Sequence, residues 1–339
     1  MKITIKDVAK KAGVSTATVS LVITNNSRIS QDTRKKVLKA IKDLDYTPSR
    51  SARGLVSKKT GNLGFILTDD HFLRTEPFYT RIFLGTEFAA HVHDFYILLT
   101  TLPNTFSIDD PLPRFVREKN VDGIIIAGKV PTTLIQKLEK YKIPLVFIDY
   151  VPPMGEFPIV LMDNISGGET ATKHLIDLGH KNIAFLGGDV QHPSIADRLV
   201  GYKRMLEKHN ITVSSKLIST GSPEPIKEEG YKAMKSLLSK NNNISAVFAC
   251  NDAMALGAMQ YLKDIGIDVP GKISIVGFDD IESNIFLNPP LTTIRVPKID
   301  LGVEAVKLLS ERITNKNIAR KKVLVPVELI IRESTRKIS

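Results

Sequence analysis

Three short polar residues stand directly after strongly apolar segments of the sequence: Asp149, Asn251 and Asp279. If those segments are parallel strands, their carboxyl ends share one edge of a sheet, where open α/β sheets bind ligands. Carboxylates and amides at such an edge can exchange hydrogen bonds with vicinal hydroxyls, and Arg198 can add a charge-assisted bond. Taken singly, each of these residues fits a helix cap or a turn better than a ligand site.

Nucleotide chemistry is poorly supported. Gly123, Gly128 and Lys129 have the spacing of a phosphate loop, but Val130 replaces the Ser or Thr that such a loop uses to hold magnesium. The residues between the glycines are apolar and indicate a buried strand. No G-x-G-x-x-G motif follows a predicted strand, which argues against a dehydrogenase.

Metal and thiol chemistry are equally weak. His91 and His93 are two residues apart and could approach a metal only with ligands from elsewhere. Cys250 ends an apolar segment without a histidine beside it, which predicts a buried structural thiol. We therefore predict no catalytic residues, no metal and no cofactor.

The elements that must position the polar residues are short apolar runs separated by helical patterns of ten to fifteen residues. The predicted strands are 63–67, 95–100, 123–127, 145–148, 183–187, 246–249, 273–277 and, near the end of the chain, 324–331. Strands this apolar, alternating with helices, predict parallel sheets with βαβ crossovers. A junction near 157–164, where a second series begins, favours two sheets over one large sheet.

The bulk composition bounds the protein class. The 339 residues are 42% hydrophobic, and the one cysteine cannot form an intramolecular disulfide. The amino terminus lacks the apolar stretch of a signal peptide, and no segment resembles a membrane helix. We expect a cytoplasmic protein with two or three domains and no membrane partner.

The positive charge is concentrated at one end. Residues 1–60 hold 14 Lys and Arg against 4 Asp and Glu, so they account for +10 of the net +11. A concentrated basic block indicates a polyanion partner, because neutralised phosphates release their counterions. A solvated basic tail is the alternative, but this block also carries a folded pattern.

Three short helices are predicted in that block. The first begins at a capping box of Thr4 and Asp7 and ends at Gly13. Ser15 caps the second, and Ser30 caps the third, whose apolar face is Val37, Leu38, Ile41 and Leu44. The first two are joined by only a few residues, which is helix-turn-helix spacing. We predict a shared core of Val8, Val19, Val37 and Ile41.

The second helix has small residues at its start and can enter the major groove of DNA, with its positive dipole end near phosphate. The strings that flank it are specific: 5–9, 12–15, 18–20, 34, 37 and 46–48. Together they resemble the headpiece of the LacI/GalR family of transcriptional regulators. Segment 49–57 resembles the hinge helix of that family, with Ala52 and Leu55 in its signature, and the family inserts this leucine into the minor groove.

The resemblance implies a set of DNA-binding residues: Thr4, Ile5, Ser15, Thr16, Ala17, Thr18, Ser20, Leu21, Thr24, Arg28, Ser30, Thr33, Ser49, Ala52 and Leu55. Two positions depart from the common pattern. Leu21 stands where many members carry arginine, so the operator is expected to differ from the commonest sites. Ser49 replaces a frequent asparagine, and Gly54 disfavours the hinge helix by about 1 kcal/mol relative to alanine. Both changes suggest that the hinge folds on DNA.

The likeness continues through 178–185, 251–257, 277–280 and 290–294. It implies a helix-turn-helix headpiece at 1–47, a hinge helix with its linker at 48–60 and, at 61–339, a two-lobed α/β domain for effector binding and dimerisation that resembles periplasmic binding proteins. That domain would comprise two Rossmann-like subdomains with parallel sheets, one at 61–159 and 292–322 and the other at 160–291 and 323–339.

The family's effector site maps onto Phe78, Tyr79, Asp149, Ser194, Arg198, Asn251 and Asp279. The implied function is a sequence-specific regulator, with a repressor favoured, that binds double-stranded operator DNA under control of a small molecule. We expect a sugar effector. A purine- or nucleoside-responsive regulator, and a sugar-binding protein or enzyme on the same fold, are the alternatives. A homodimer is expected because one recognition helix reads few base pairs, and no leucine heptads that would form a tetramer follow the last strand.

Overall fold

The computed structural model describes residues 3–23, 28–46, 59–70, 77–222, 224–241, 243–315 and 321–338. Contacts divide the chain into two compact units, one of residues 1–62 and 120–122 and the other of residues 63–119 and 123–339. None of the helices in the described ranges is long and apolar enough to cross a lipid bilayer.

The first unit contains three helices, α1 (Ile5–Ala12), α2 (Thr16–Ile23) and α3 (Gln31–Asp43). The predicted capping box is confirmed, because the Asp7 carboxylate accepts hydrogen bonds from the Thr4 backbone nitrogen at 2.8 Å and hydroxyl at 2.7 Å. Gly13 ends α1 with a φ of 66°, a left-handed conformation that glycine adopts without strain. The backbone nitrogen of Thr33 donates to Ser30 Oγ at 3.3 Å, which confirms the cap of α3.

The core of these helices differs slightly from the prediction. Val8, Val19 and Val37 are fully buried, as expected. Ile41 only borders this core, and Leu38, predicted on the apolar face of α3, is 51% exposed. The remaining buried positions of the core are Ala9, Val22, Ala40 and Tyr46. The buried face of α3 is therefore centred on Val37 and Ala40 and does not include Leu38.

The second unit contains two six-stranded sheets. The first has the order β11-β5-β4-β3-β1-β2. Its strands are β1 (Asn62–Thr68), β2 (Tyr96–Leu102), β3 (Gly123–Ala127), β4 (Leu145–Ile148), β5 (Ile159–Met162) and β11 (Lys322–Val325). Its helices are α4 (Phe78–Val92), α5 (Arg114–Arg117), α6 (Thr132–Glu139) and α11 (Lys298–Thr314). We call this assembly the first lobe.

The second sheet has the order β12-β10-β9-β8-β6-β7. Its strands are β6 (Ile183–Leu186), β7 (Ile218–Ser219), β8 (Ala246–Ala249), β9 (Ser274–Asp279), β10 (Thr292–Arg295) and β12 (Glu328–Ile330). Its helices are α7 (Asn164–Asp177), α8 (Pro193–Lys208), α9 (Lys227–Lys240) and α10 (Asp252–Asp264). We call it the second lobe. Among strand pairs with a defined register in the described residues, β10 and β12 run antiparallel and the others parallel.

The sheets correct the predicted subdomain boundaries by a few residues. A boundary at 159 divides β5, which belongs wholly to the first sheet, and a boundary at 292 assigns β10 to the wrong lobe. The single strand predicted at 324–331 is two strands in different sheets, β11 and β12, separated at Pro326. The chain thus passes between the lobes after β5, after β10 and after β11.

Close glycine contacts join the helices of each lobe. A Cβ placed on Gly302 of α11 would collide with the backbone of α4, and one on Gly85 of α4 would collide with the backbone of α11. The same mutual contact links Gly168 of α7 to α8 and Gly257 of α10 to α9. These helices approach so closely that only a hydrogen atom fits between the backbones. Each of these helix pairs is therefore packed at the closest distance that two helix backbones allow.

A buried carboxylate ties the second lobe together behind the end of β9. Asp252, at the start of α10, is fully buried and accepts hydrogen bonds from Thr293 Oγ1 at 2.6 Å, Asn284 Nδ2 at 2.7 Å and the Ile281 backbone nitrogen at 2.9 Å. Burial and the nearby Asp279 carboxylate raise the pKa of Asp252 to about 7, although the three hydrogen bonds act in the opposite direction.

This shift predicts a pH dependence of stability. Because the folded-state pKa lies above the ordinary value of 3.8, the native state retains a proton that the unfolded chain loses as pH rises from about 4 to about 7. The contribution of Asp252 to the free energy of unfolding should therefore decrease with rising pH by at most about 1.4 kcal/mol per unit. Asp252→Asn should have a lower free energy of unfolding than wild type at pH 5. Urea unfolding at increasing pH should show that the variant lacks the decrease expected for wild type.

The exposed carboxylate of Asp177 on α7 offers a matched control. In Asp177→Asn, the free energy of unfolding should depend on pH between 4.5 and 7 as it does in wild type. An Asp252→Asn protein with the same slope as wild type would show that Asp252 is already ionised throughout this range.

Candidate functional site

The start of α2 presents small polar residues on the surface of the first unit. Ser15 caps the helix, since its Oγ accepts from the backbone nitrogen of Thr18 at 3.1 Å, and the two hydroxyls lie 2.9 Å apart. Thr16 and Ala17 are exposed, whereas Val19 on the opposite side is buried. The helix therefore displays its first turn to solvent and anchors the next in the core.

The other predicted DNA-binding residues have mixed settings. Ile5, Ser20 and Leu21 are half-buried, Arg28 is exposed, and Thr4, Ser30 and Thr33 take part in helix capping. Thr24, Ser49, Ala52 and Leu55 lie outside the described residues, as does the whole predicted hinge helix at 49–57. The described positions are thus compatible with a surface around the start of α2.

The helices of the first unit carry many exposed basic side chains. The exposed cations of the three helices include Lys6, Lys10, Lys35, Lys36 and Lys39. Lys11 has an ion-pair partner in Asp43 at 3.5 Å, and both side chains are largely solvated, so the pair removes little of the positive field. The unit retains the excess charge that the sequence analysis located here.

All seven predicted effector residues line one cavity of the second unit. This cavity has a volume of about 780 Å³ and lies between the lobes. Strand ends bring them together: Asp149 follows β4, Asn251 follows β8 and Asp279 is the last residue of β9, while Phe78, Tyr79, Ser194 and Arg198 come from α4 and α8. The volume is within the range of small-molecule sites.

Asp149 links the two sides of the cavity. Its Oδ2 accepts from the hydroxyl of Tyr79 on α4 at 2.9 Å, and its Oδ1 accepts from the hydroxyl of Ser194 on α8 at 2.5 Å. The carboxylate is only 5% exposed. In this arrangement Asp149 therefore joins the first lobe to the second, and a ligand would compete with Ser194 for it.

Arg198 occupies the floor of the cavity and is also 5% exposed. Its Nε donates to Asn164 Oδ1 at 2.9 Å and its Nη1 to the Cys250 carbonyl oxygen at 2.5 Å. The guanidinium stacks on the ring of Phe278 at 3.7 Å and lies 3.6 Å from Asp279 Oδ1. Its orientation is fixed, so it presents a preset charge to the cavity.

Asn251 and Asp279 play different parts. Asn251 caps α10 by accepting from the Met254 nitrogen at 2.8 Å, and its Nδ2 donates to the Pro225 carbonyl at 2.8 Å. Its polar atoms therefore have structural uses, as expected for a strand-end residue taken alone. Asp279 has a φ of 112°, an uncommon conformation for a residue with a side chain. Such strain is often found where a fold must aim a group at a ligand.

The aromatic pair differs in accessibility. Tyr79 is buried with its hydroxyl on Asp149, whereas Phe78 is half-buried. The two rings meet edge to face at 82°. A ligand can therefore stack on one of these rings but cannot insert between two parallel rings.

The sequence analysis did not identify several cavity residues. They include Asn104, Lys129, Asp189, His192, Glu224, Lys227 and Glu228. Asn104, Lys129 and Asp189 follow β2, β3 and β6, so the strand-end rule that selected Asp149 also applies to them. Lys129 had been named only in the phosphate-loop comparison.

Two residues considered for other chemistry have ordinary environments. Cys250 is fully buried, and this burial raises the pKa of its thiol to about 11, which disfavours a reactive thiolate. His91 and His93 are exposed near the end of α4. Within the described ranges no cluster of three His, Cys, Asp or Glu side chains could hold a metal ion.

Family comparisons match both units. Residues 4–49 match the model of bacterial regulatory proteins of the lacI family. Residues 172–335 match the model of the periplasmic binding protein-like domain. The first match covers α1 to α3, and the second covers nearly all of the second lobe.

Full-length relatives extend the likeness over the whole chain. The HTH-type transcriptional repressor PurR of Mannheimia succiniciproducens is 36% identical over 99% of both chains. The transcriptional regulator CelR in complex with cellobiose is 30% identical, with a TM-score of 0.74 over 98% of this chain and 99% of that one. The lac repressor dimer bound to operator is 26% identical, with a TM-score of 0.77 over 99% and 100%. The chain therefore belongs to the lacI family of bacterial regulatory proteins and is a transcriptional regulator under effector control.

Proposed function

We propose that this regulator is a dimeric repressor that binds operator DNA through α2 and is controlled by a neutral sugar in the cavity between the lobes. One observation carries the proposal: seven residues from separate parts of the sequence line one cavity in a chain whose other unit is a basic helix-turn-helix. We infer that the fold serves regulation and not catalysis, since its relatives are transcriptional regulators.

The charge of the cavity favours an uncharged ligand. Six carboxylates line it, from Asp70, Asp149, Asp189, Glu224, Glu228 and Asp279, against three cations, from Lys129, Arg198 and Lys227. Arg198 is already engaged by carbonyl, amide and carboxylate oxygens. A phosphorylated ligand would meet a net negative wall, whereas hydroxyl groups could donate to the carboxylates.

The polar composition also favours a sugar over a purine. Sugars are recognised by carboxylates and amides that hydrogen-bond to adjacent hydroxyls, together with one aromatic face. Phe78 can supply that face. The cellobiose complex of the 30% identical CelR supports the same choice.

Lobe movement provides the link to DNA. The Asp149–Ser194 hydrogen bond and the Lys129–Asp189 ion pair, at 4.0 Å, connect the two lobes across the cavity. A ligand that replaces these contacts changes the relative free energies of the lobe arrangements, which is the requirement for allosteric control.

Exposed apolar residues support a homodimer. On α4, Phe88 and Val92 are 59% and 80% exposed, and Tyr96 on the edge strand β2 is 59% exposed. Large apolar side chains at adjoining positions indicate a surface that is covered in the assembly. The second copy of the chain is the proposed occupant, in keeping with the operator-bound dimer of the lac repressor.

The first prediction of the proposed function concerns DNA recognition by α2. Thr16→Ala should change which bases are preferred, because the exposed Thr16 lies on the surface that would face base edges. Lys6→Gln should instead weaken binding to the operator and to unrelated DNA by the same factor. The slope of the logarithm of the binding constant against the logarithm of the salt concentration should become shallower by about 0.9. Fluorescence anisotropy on a set of single-base operator variants distinguishes the two effects. A Thr16→Ala protein with wild-type preference and affinity would argue against the placement of α2 in the groove.

The second prediction concerns the effector. In a thermal-shift screen of cellobiose, ribose, glucose 6-phosphate, adenine and hypoxanthine, we expect a neutral sugar to stabilise the protein. Asp279→Asn should lower the affinity for that sugar by about 10- to 100-fold, since a hydrogen bond to a charged group contributes about 1.5–3 kcal/mol. Ligand-free operator binding should stay close to wild type.

Asp109→Asn, in an exposed loop outside the cavity, is the matched control and should bind the sugar normally. Stabilisation by a purine base and not by any sugar would contradict the sugar assignment. Normal sugar binding by Asp279→Asn would assign Asp279 a purely structural role.

The third prediction concerns assembly. The double variant Phe88→Glu, Val92→Glu should be a monomer in sedimentation experiments at micromolar concentration and should lose tight binding to a two-half-site operator. Tyr141→Glu, which charges an exposed aromatic residue of the same lobe, should remain dimeric. A double variant that stays dimeric would place the interface elsewhere.

A further inference from the structure

The turn that carries Asp279 into the cavity is conformationally unusual. Asp279 and Asp280 have φ values of 112° and 52°, so two consecutive residues with side chains adopt positive φ. Such conformations are costly and persist only where the surroundings enforce them. The contacts that enforce this turn therefore determine where the Asp279 carboxylate points.

Some of the contacts that hold this turn come from the second lobe itself. Arg332 Nη2 donates to one carboxylate oxygen of Asp280 at 2.6 Å, and Arg295 Nε donates to the other at 2.7 Å. Burial alone would raise the pKa of Asp280, but the hydrogen bonds and the positive charges of the two arginines together outweigh it and leave the pKa below its usual value. The Asp280 side chain is thus anchored as a carboxylate beside the turn.

The backbone of the turn is held from the first lobe. Lys298 is the first residue of α11, whose following turns pack on α4 through Gly85 and Gly302. Its Nζ donates to the carbonyl oxygen of Asp279 and, at 3.2 Å, to that of Asp280. One ammonium group of the first lobe therefore fixes two successive peptide carbonyls of the second lobe.

The same ammonium also contacts the opposite cavity wall. Lys298 Nζ lies 5.8 Å from the ring centroid of Phe78, at the start of α4. Phe78 and Asp279 line the effector cavity, whereas Lys298 lines a separate hollow of about 280 Å³. Lys298 is therefore positioned to respond to the effector through both walls without touching it.

The energetics make this contact sensitive to lobe arrangement. Burial lowers the pKa of Lys298, while the carboxylates of Asp279, Asp252 and Asp280 oppose that change. A buried ammonium is tolerated only where oxygen atoms replace its lost water. If the lobes rotate, the two carbonyl oxygens move relative to α11 and the compensation is lost.

We propose that Lys298 is a positioning residue that couples the effector cavity to the α4–α11 helix pair. By holding the Asp279 turn against α11, it stabilises the lobe arrangement of this structure and sets part of the free-energy difference on which regulation depends. The DNA consequence of this inference rests on the proposed function, whereas the structural consequence does not.

The test compares Lys298→Met, which keeps the length of the side chain but removes its charge and donors, with Lys298→Arg, which retains both. In ligand-free full-length protein, Lys298→Met should make the amides of Ile281 and Val296 exchange hydrogen about tenfold faster, because their partners lie in or behind the turn. Lys298→Arg should restore much of the protection.

Lys307→Met is the matched control, since Lys307 lies on the same helix but is exposed and paired with Glu304. It should exchange like wild type. In parallel, Lys298→Met should change ligand-free operator affinity by at least about threefold, and Lys307→Met should not.

Unchanged exchange at Ile281 and Val296 in Lys298→Met would overturn the positioning role. Faster exchange with wild-type operator affinity would overturn the coupling to DNA. Failure of the wild-type protein to bind any operator would count against the proposed function, and the exchange measurement would still decide the role of Lys298.

Discussion

A guanidinium group removed from water requires oxygen partners in fixed positions, and Arg198 imposes this requirement on the middle of the effector unit. An unpaired buried charge would cost several kcal/mol, so the elements that supply its partners cannot move independently. Asn164 begins α7, Cys250 follows β8, and Phe278 and Asp279 end β9. The charge that makes the cavity suitable for a polar ligand thus also fixes the spacing of the strands that form it.

The helix pairs around this centre explain why small changes in the cavity can become movements of whole lobes. Gly85, Gly168, Gly257 and Gly302 allow backbones to touch, so each pair moves as one body. Interfaces this close tolerate few intermediate positions, and a displacement at one end is carried along the helix. α4 is the clearest case, because it begins with the cavity residues Phe78 and Tyr79 and continues to the exposed apolar residues of the proposed dimer surface.

Contacts between the lobes occur both in the cavity and at the neighbouring smaller hollow. Asp149 and Ser194 meet across it, and Arg81 of α4 pairs with Glu282 of the second lobe near the hollow that Lys298 lines. A ligand that competes for Asp149 acts on the first contact, and one that draws on Asp279 acts on the turn held by Lys298. Induction and corepression would then differ in which contacts the ligand replaces and which it reinforces.

The sequence by itself determined the helix caps and seven of the residues that line the cavity. Capping residues such as Ser15 and Ser30 act within one helical turn, and parallel strands bring their carboxyl ends together whichever strands are neighbours, so Asp149, Asn251 and Asp279 could be predicted without knowledge of strand order. Only the tertiary structure decided that the segment 324–331 divides between two sheets, that Leu38 is exposed, and that Lys298 meets the Asp279 turn. Strand pairing and contacts between lobes join residues far apart in the chain, and their free energy depends on neighbours that no local pattern specifies.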